Sequence, residues 1–114
     1  MLPIANRLKK NKEIKQVFEG GTRFQQGLLI IKTIHNTLEQ SRFAFIASQR
    51  LSKKAVVRNR VKRRLREIVS LNLKDMSGGR DVVIIASIGF DHQDFNQSKE
   101  DLEKLFLKAG LTEK

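Results

Sequence analysis

The sequence contains no cysteine, tryptophan or tyrosine and a single proline, Pro3. Without cysteine the chain forms neither disulfides nor thiolate metal sites, so it has no need of an oxidising compartment. No stretch approaches the roughly 18 apolar residues of a membrane-spanning helix, and residues 1–10 lack the apolar segment of a signal peptide. Internal repeats, low-complexity tracts and linkers are also missing. We therefore expect a cytoplasmic protein with a single domain over residues 1–114.

Catalytic motifs are equally scarce. His35 and His92 lie in predicted polar loops, and neither has the spacing of a metal ligand or a general base. Asp91 and Asp94 flank His92, but charged residues in a polar connection are usually just solvated. The sequence has no nucleophile elbow, P-loop or His-x-x-x-His motif. We expect no catalytic residue and no metal site in this chain.

Positive charge is concentrated in the middle of the chain. The net charge is +11, and nine basic residues but no acidic residue lie between Arg50 and Arg66. The other 14 basic residues nearly balance the 12 acidic ones. A solvated helix face usually mixes signs, so this local excess predicts a polyanionic partner. The nine residues are Arg50, Lys53, Lys54, Arg58, Arg60, Lys62, Arg63, Arg64 and Arg66.

Hydrophobic periodicity predicts an α+β domain in which helices pack on one sheet. The order is a helix, two or three strands, a helix, a strand and a helix. Asp81–Ile88 is a β-branched run typical of a strand buried on both faces. The first predicted helix has Asn11 as its cap and ends at Gly20, and predicted strands follow at 28–34 and 42–48. The second predicted helix begins at Lys54, and a strand follows at 81–88. A capping box at Ser98 opens the last predicted helix, which ends at Gly110.

The helix from Lys54 is amphipathic. Its apolar stripe is Val57, Val61, Leu65, Ile68 and Leu71. Its opposite face carries Asn59, Lys62, Arg63 and Arg66, with Arg58 and Arg60 along the margins. Each arginine presents a rigid fork of donors that matches phosphate and never becomes neutral at working pH. We interpret this face as a surface for nucleic acid or another polyanion.

Two other features leave alternatives open. A second basic cluster either widens this surface or is an ordinary solvated terminus. Phe18 follows Ile14 and Val17 on an apolar stripe, so periodicity favours a core position, like those of Phe43, Phe45 and Phe106. Beside a cationic groove it would instead stack on an RNA base. The second cluster is Arg7, Lys9, Lys10, Lys12 and Lys15.

The segment KAVVRNRVKR, from Lys54 to Arg63, resembles the signature of the bacterial ribonuclease P protein subunit family. Residues 7–11 with Val17-Phe18, and the strand Asp81–Ala86, match as well, so the resemblance extends from about Asn6 to Leu107. It implies an α-β-β-β-α-β-α sandwich with one central mixed sheet. It also implies a left-handed βαβ crossover through the basic helix, against the general right-handed rule.

The resemblance implies a function too. Proteins of this family are subunits of the endoribonuclease that removes the 5′ leader of precursor tRNA. The family's RNA subunit holds the active site and the catalytic Mg²⁺ ions, while the protein binds that RNA and the leader. For this chain we expect a monomer, one copy per RNA, with no catalytic residue and no cofactor of its own.

The family's contacts map onto two sets of residues. Those matching contacts to the catalytic RNA are Arg58, Asn59, Arg60, Lys62, Arg63 and Arg66, with Lys53 and Lys54 nearby. Those matching the leader cleft, between the first helix and the sheet, are Ile14, Phe18, Ile30, Lys32 and Arg50.

The family often has aromatic residues in place of Ile14 and Lys32, and Ser-Lys-Lys in place of Ser48-Gln49-Arg50. We expect less base stacking and more phosphate attraction here. Arg64 stands where the family is often apolar, so we expect its stem to lie along the packed face.

Two other functions fit the charge. A ribosomal-protein-like RNA scaffold would use the same cations without a processing role, and the signature and the Phe18 cleft favour ribonuclease P over it. A basic amphipathic helix on a membrane surface is disfavoured, because the apolar side is a narrow Val/Leu/Ile stripe without tryptophan.

Overall fold

The computed structural model describes residues 2–112 as three α-helices, four strands and three short 3₁₀ turns. The turns lie at Ile4–Asn6, Leu73–Asp75 and Phe90–His92. The longer elements are α1 (Asn11–Gly20), β1 (Thr22–Gln26), β2 (Leu29–His35), β3 (Arg42–Ala47), α2 (Ala55–Asn72), β4 (Arg80–Ala86) and α3 (Phe95–Lys108).

The four strands form one mixed sheet in the order β1-β2-β4-β3. β1 pairs antiparallel with β2, and β2 pairs antiparallel with β4. β3 and β4 are parallel neighbours, so α2 is a crossover connection between them. The predicted α+β class, element order and mixed sheet are confirmed, while the left-handedness of the crossover stays a prediction of the resemblance.

The larger core lies between the sheet and the two helices α2 and α3. Val61, Leu65 and Ile68 of α2 are almost fully buried, as is Phe106 of α3. Burying each such side chain contributes roughly 1.5–3 kcal/mol. Leu71 was predicted to continue the stripe, but it is exposed, because Val69, four residues after Leu65, occupies the inner face instead.

On the opposite face of the sheet, α1 is the helix that packs among those described in residues 2–112. Val17 is the fully buried residue of this helix and packs with Leu8, Ala44 and Val83. β4 is therefore buried on both faces, as its β-branched run predicted. This one short helix covers part of the four-stranded sheet. Three isoleucines on the same face, beyond the area that α1 covers, therefore remain half-buried: Ile30, Ile46 and Ile85.

Two predicted helix starts and one strand differ from the structure. Asp94, not Ser98, caps α3, since its carboxylate accepts a hydrogen bond from the Gln97 amide at 2.7 Å. Ser98 lies inside the helix and donates to the Asp94 carbonyl at 2.8 Å. Asn11 is the first residue of α1 instead of its cap. The third strand that the pattern left open is β1, a mostly polar segment held by its pairing with β2.

An ion cluster fixes α1 on the sheet. Arg42 of β3 donates to Asp81 of β4 through two bonds, of 2.7 and 2.9 Å, and to Glu13 of α1 at 3.1 Å. The hydrogen bonds that Arg42 donates to Asp81 are the main reason why the pKa of Arg42 lies above its ordinary value. The stabilising contribution of this charge is therefore fully present at neutral pH, far below that ordinary value.

Replacing Arg42 by Met is expected to lower the free energy of unfolding by about 3 kcal/mol, because the Asp81 carboxylate remains buried without its cation. Urea unfolding measures the change. The matched control is Lys104→Met, which breaks the exposed pair with Glu100 and should cost at most about 0.5 kcal/mol. Equal costs for the two variants would show that the buried pair of Arg42 and Asp81 does not stabilise the fold.

Candidate nucleic-acid interface

The outer face of α2 presents a row of cations on a rigid support. Asn59, Arg60 and Arg63 are exposed, and Lys62 is half-buried. Within residues 2–112, the side chains of these four residues form no hydrogen bond or ion pair with the protein. The predicted RNA-binding face is therefore brought together on one side of a packed helix, and its donors are available.

Three other arginines of α2 have partners inside the protein. Arg58 donates to the Ser52 carbonyl at 2.9 Å. Arg64 donates to the Gln93 carbonyl at 2.6 Å and lies over the ring of Phe90, as expected for a stem packed along the margin. The Arg66 guanidinium lies 5.8 Å from the centre of the Phe45 ring. Arg66 remains exposed, whereas Arg64 serves mainly to join α2 to the segment before α3.

Two further cations stand at the N-terminal end of α2, where a positive charge is electrostatically unfavourable. Lys53 and Lys54 precede the helix, and its first turn holds no acidic residue. Free amides give a helix N-terminus a partial positive charge, so nearby cations cost about 0.3–1 kcal/mol each at low salt. The same amides and cations attract a phosphate together. An anionic partner removes a repulsion that solvation alone leaves in place.

Part of the second basic cluster joins this face. Arg7 lines the same depression as Arg63 and Arg66. The chain is held there because the Leu8 amide donates to the Phe43 carbonyl at 2.9 Å, along the outer edge of β3. Arg7 therefore widens the cationic surface. The other members, Lys9, Lys10, Lys12 and Lys15, are exposed on or beside α1.

A groove with an apolar floor crosses the sheet beside α1. The register aligns Ile46 of β3, Ile85 of β4 and Ile30 of β2 in one row, and all three are half-buried. Ile14 packs against the buried cluster beneath α1 and so forms part of the wall. At the β3 end, Arg50 lines a depression together with Ile85 and Ile88. The predicted cleft residues thus border one continuous surface.

Phe18 stands at the edge of this groove, paired with Lys32. Its side chain is 41% exposed, so the core position favoured by periodicity is wrong. The Lys32 ammonium lies 4.1 Å from the ring centre and donates to the Phe18 carbonyl at 2.8 Å. One side of the ring is thus covered by a cation, and the remaining exposed part is available to a nucleobase.

The structure also brings to the groove a residue that the sequence reasoning missed. Arg23 of β1 pairs in register with Lys32 of β2. Paired residues of antiparallel strands point to the same face, so Arg23 shares the face that carries the groove. The polar sequence of β1 contains no pattern that would have identified it, since its position depends on strand register.

Neither histidine lines the depressions that contain Arg7 or Arg50. His92 is 86% exposed on its side chain and lies 3.4 Å from the Asp91 carboxylate. In the part of the chain from 2 to 112, no three acidic or histidine side chains are grouped to hold a metal ion. None of the helices described there is long and apolar enough to cross a membrane.

Sequence comparisons agree with the signature. The model of the family described as Ribonuclease P matches residues 2–110. The Ribonuclease P protein component of Syntrophomonas wolfei is 35% identical over 111 residues, which is 97% of this chain and 92% of that protein. The protein of the same name from Synechocystis is 35% identical over 114 residues, covering 96% of this chain and 90% of that protein.

Solved structures share the fold. The RNase P protein from Thermotoga maritima, solved with 1-(4-fluorophenyl)-2-thiourea, has a TM-score of 0.79 and 28% identity, covering 87% of this chain and 95% of that one. The RNase P protein from Staphylococcus aureus has a TM-score of 0.85 at 23% identity, covering 94% and 97% of the two chains. At 23% identity, the similarity to the Staphylococcus aureus protein shows a shared fold and nothing more.

The adjacent residues Arg63 and Arg64 offer a test in which the change in charge is the same. Arg64→Ala should lower the free energy of unfolding by about 1–2 kcal/mol, because it removes a hydrogen bond and a packed stem. Arg63→Ala should change it by less than about 0.5 kcal/mol. On a heparin column Arg63→Ala should elute at lower salt than Arg64→Ala. Equal elution and equal stability would contradict the assignment of separate roles.

Proposed function

This chain belongs to the ribonuclease P protein family, and we propose that it binds the catalytic RNA through α2 and the 5′ leader of precursor tRNA through the groove beside α1. In this proposal the RNA subunit and its Mg²⁺ ions hydrolyse the phosphodiester bond. The protein is a monomer, one copy per RNA, and acts in the cytoplasm.

The free cations of α2 are the observation that supports RNA binding. Asn59, Arg60 and Arg63 project from a helix whose other side is locked in the core, so their backbone loses little additional freedom on binding. Arginine forks hold phosphate oxygens with two parallel bonds, and Asn59 both donates and accepts. Such a surface recognises a folded RNA backbone by shape as well as by charge.

The chemistry of these side chains also supports a binding role instead of a cutting role. Arginine is always protonated at working pH, so it cannot accept a proton as a general base. Its fixed charge instead offsets phosphate repulsion when two RNA molecules approach each other. We assign this effect to α2 and Arg7, at the contact with the catalytic RNA.

The groove supports the role in leader binding. A single strand is commonly held by cations that contact its phosphates and by apolar or aromatic surfaces that contact its bases. Here Ile30, Ile46 and Ile85 form the floor, and Phe18 adds an exposed aromatic edge. Lys32 and Arg50 supply charge, and because Lys32 covers part of Phe18, phosphate attraction outweighs stacking in this chain.

Phe18→Ala should weaken binding of precursor tRNA to the holoenzyme about fivefold or more, because base–aromatic stacking contributes roughly 1–3 kcal/mol per base. Binding of mature tRNA, which has no leader, should be unchanged. Both dissociation constants are measured with the protein assembled on its RNA.

Leu107→Ala is the matched control, since Leu107 is 42% exposed, like Phe18, but lies on α3. It should alter neither dissociation constant. Phe18→Leu separates stacking from burial, because it keeps an apolar side chain without a ring. Equal losses for precursor and mature tRNA on replacing Phe18 would assign the residue to stability and count against a leader site in the groove.

A further inference from the structure

Two cations are cross-strand neighbours on the groove side of the sheet, one on the outer strand β1 and one on β2. Arg23 of β1 and Lys32 of β2 are register partners, a pairing that places their side chains next to each other. Arg23 is exposed, and its guanidinium donates to the Gln25 side chain at 2.8 Å. In residues 2–112 neither cation forms an ion pair with an acidic residue.

Like charges directly opposite each other destabilise a sheet. An anion shared by the two side chains removes this cost, and a phosphate is well matched to one arginine fork and one ammonium. The Lys32 ammonium has three donors, so its bond to the Phe18 carbonyl leaves others available.

The pair lies at the far end of the groove from α2. The row Ile46, Ile85, Ile30 continues in register to Gln25 of β1, so it crosses all four strands. Three strand spacings of about 4.8 Å make this path roughly 14 Å long. Its β3 end, at Arg50, leads within a few residues to Lys53 and to the cations of α2.

The two ends of the groove therefore differ in what they adjoin. The end near Arg50 adjoins the surface proposed for the catalytic RNA, where the cut is made. Leader nucleotides next to the cleavage site belong at that end. Nucleotides further toward the 5′ end must leave across β1, the outer strand, past Arg23.

We propose that Arg23, together with Lys32, binds a backbone phosphate of the leader at nucleotides distant from the cleavage site. This inference rests on the proposed leader role of the groove. The contact is with phosphate, so it reads leader length and not leader sequence. Precursors with long leaders gain affinity from it, and precursors with very short leaders do not.

The test measures holoenzyme affinity for precursor tRNAs whose leaders are shortened stepwise from the 5′ end, with leaderless mature tRNA as the end point. Arg23→Gln should weaken binding of long-leader precursors roughly two- to fivefold, as expected for one exposed charged contact. It should also reduce the salt dependence by about 0.7 log unit per decade of salt, the value for one phosphate of a single strand. Both effects should vanish for precursors whose leader is too short to reach Arg23.

Two further variants serve as controls. Arg23→Lys keeps the charge and should retain most of the affinity. Lys74→Gln changes the net charge by the same amount at an exposed residue after α2, and it should show no dependence on leader length.

Three results would overturn the inference. With wild-type protein preferring precursor to mature tRNA, no loss on Arg23→Gln would exclude a leader contact at Arg23. An equal loss at every leader length, mature tRNA included, would assign Arg23 to the tRNA body or the catalytic RNA. Equal affinity of the wild-type holoenzyme for precursor and mature tRNA would instead refute the proposed leader role of the groove, and this inference with it.

Discussion

The burial of Val61, Leu65 and Ile68 against the sheet determines what the rest of α2 presents to solvent. Together these three side chains contribute roughly 5–9 kcal/mol, whereas each cation near the helix N-terminus costs about 0.3–1 kcal/mol. The helix therefore remains folded with its charges unsatisfied. Because the helix is rigid before RNA arrives, the proposed contacts of Asn59, Arg60 and Arg63 with phosphates need no additional ordering of the backbone.

The second constraint is the ion cluster that joins Arg42 to Asp81 and Glu13. α1 is short and has one fully buried residue, so apolar packing alone fixes its position weakly. The charged link through Arg42 connects it to two strands at once. The position of Phe18, and with it the wall of the groove, depends on this link. Arg50 lies within a few residues of Lys53, just before the start of α2, so the two proposed RNA-binding surfaces adjoin each other.

The sequence predicted those parts whose signal is local. The amphipathic α2 and the doubly buried β4 followed from periodicity, and membership of the ribonuclease P protein family followed from the signature around Asn59. The positions that failed depend on tertiary placement. Phe18 lies on the apolar stripe of α1, yet the uncovered part of the sheet leaves it exposed. β1 is polar, and its pairing with β2 holds it. The place of Arg23 beside Lys32 follows from register, which one sequence does not specify.

The most direct measurement of the central claim is cleavage of precursor tRNA at low magnesium, with the protein alone, the ribonuclease P RNA alone, and the two together. If the protein supplies fixed cations while the RNA performs the cut, the protein alone cleaves nothing, the RNA alone cleaves slowly, and the mixture cleaves rapidly. Cleavage by the protein without RNA, or no acceleration when the protein is added, would contradict a role in which binding, and not catalysis, resides in this chain.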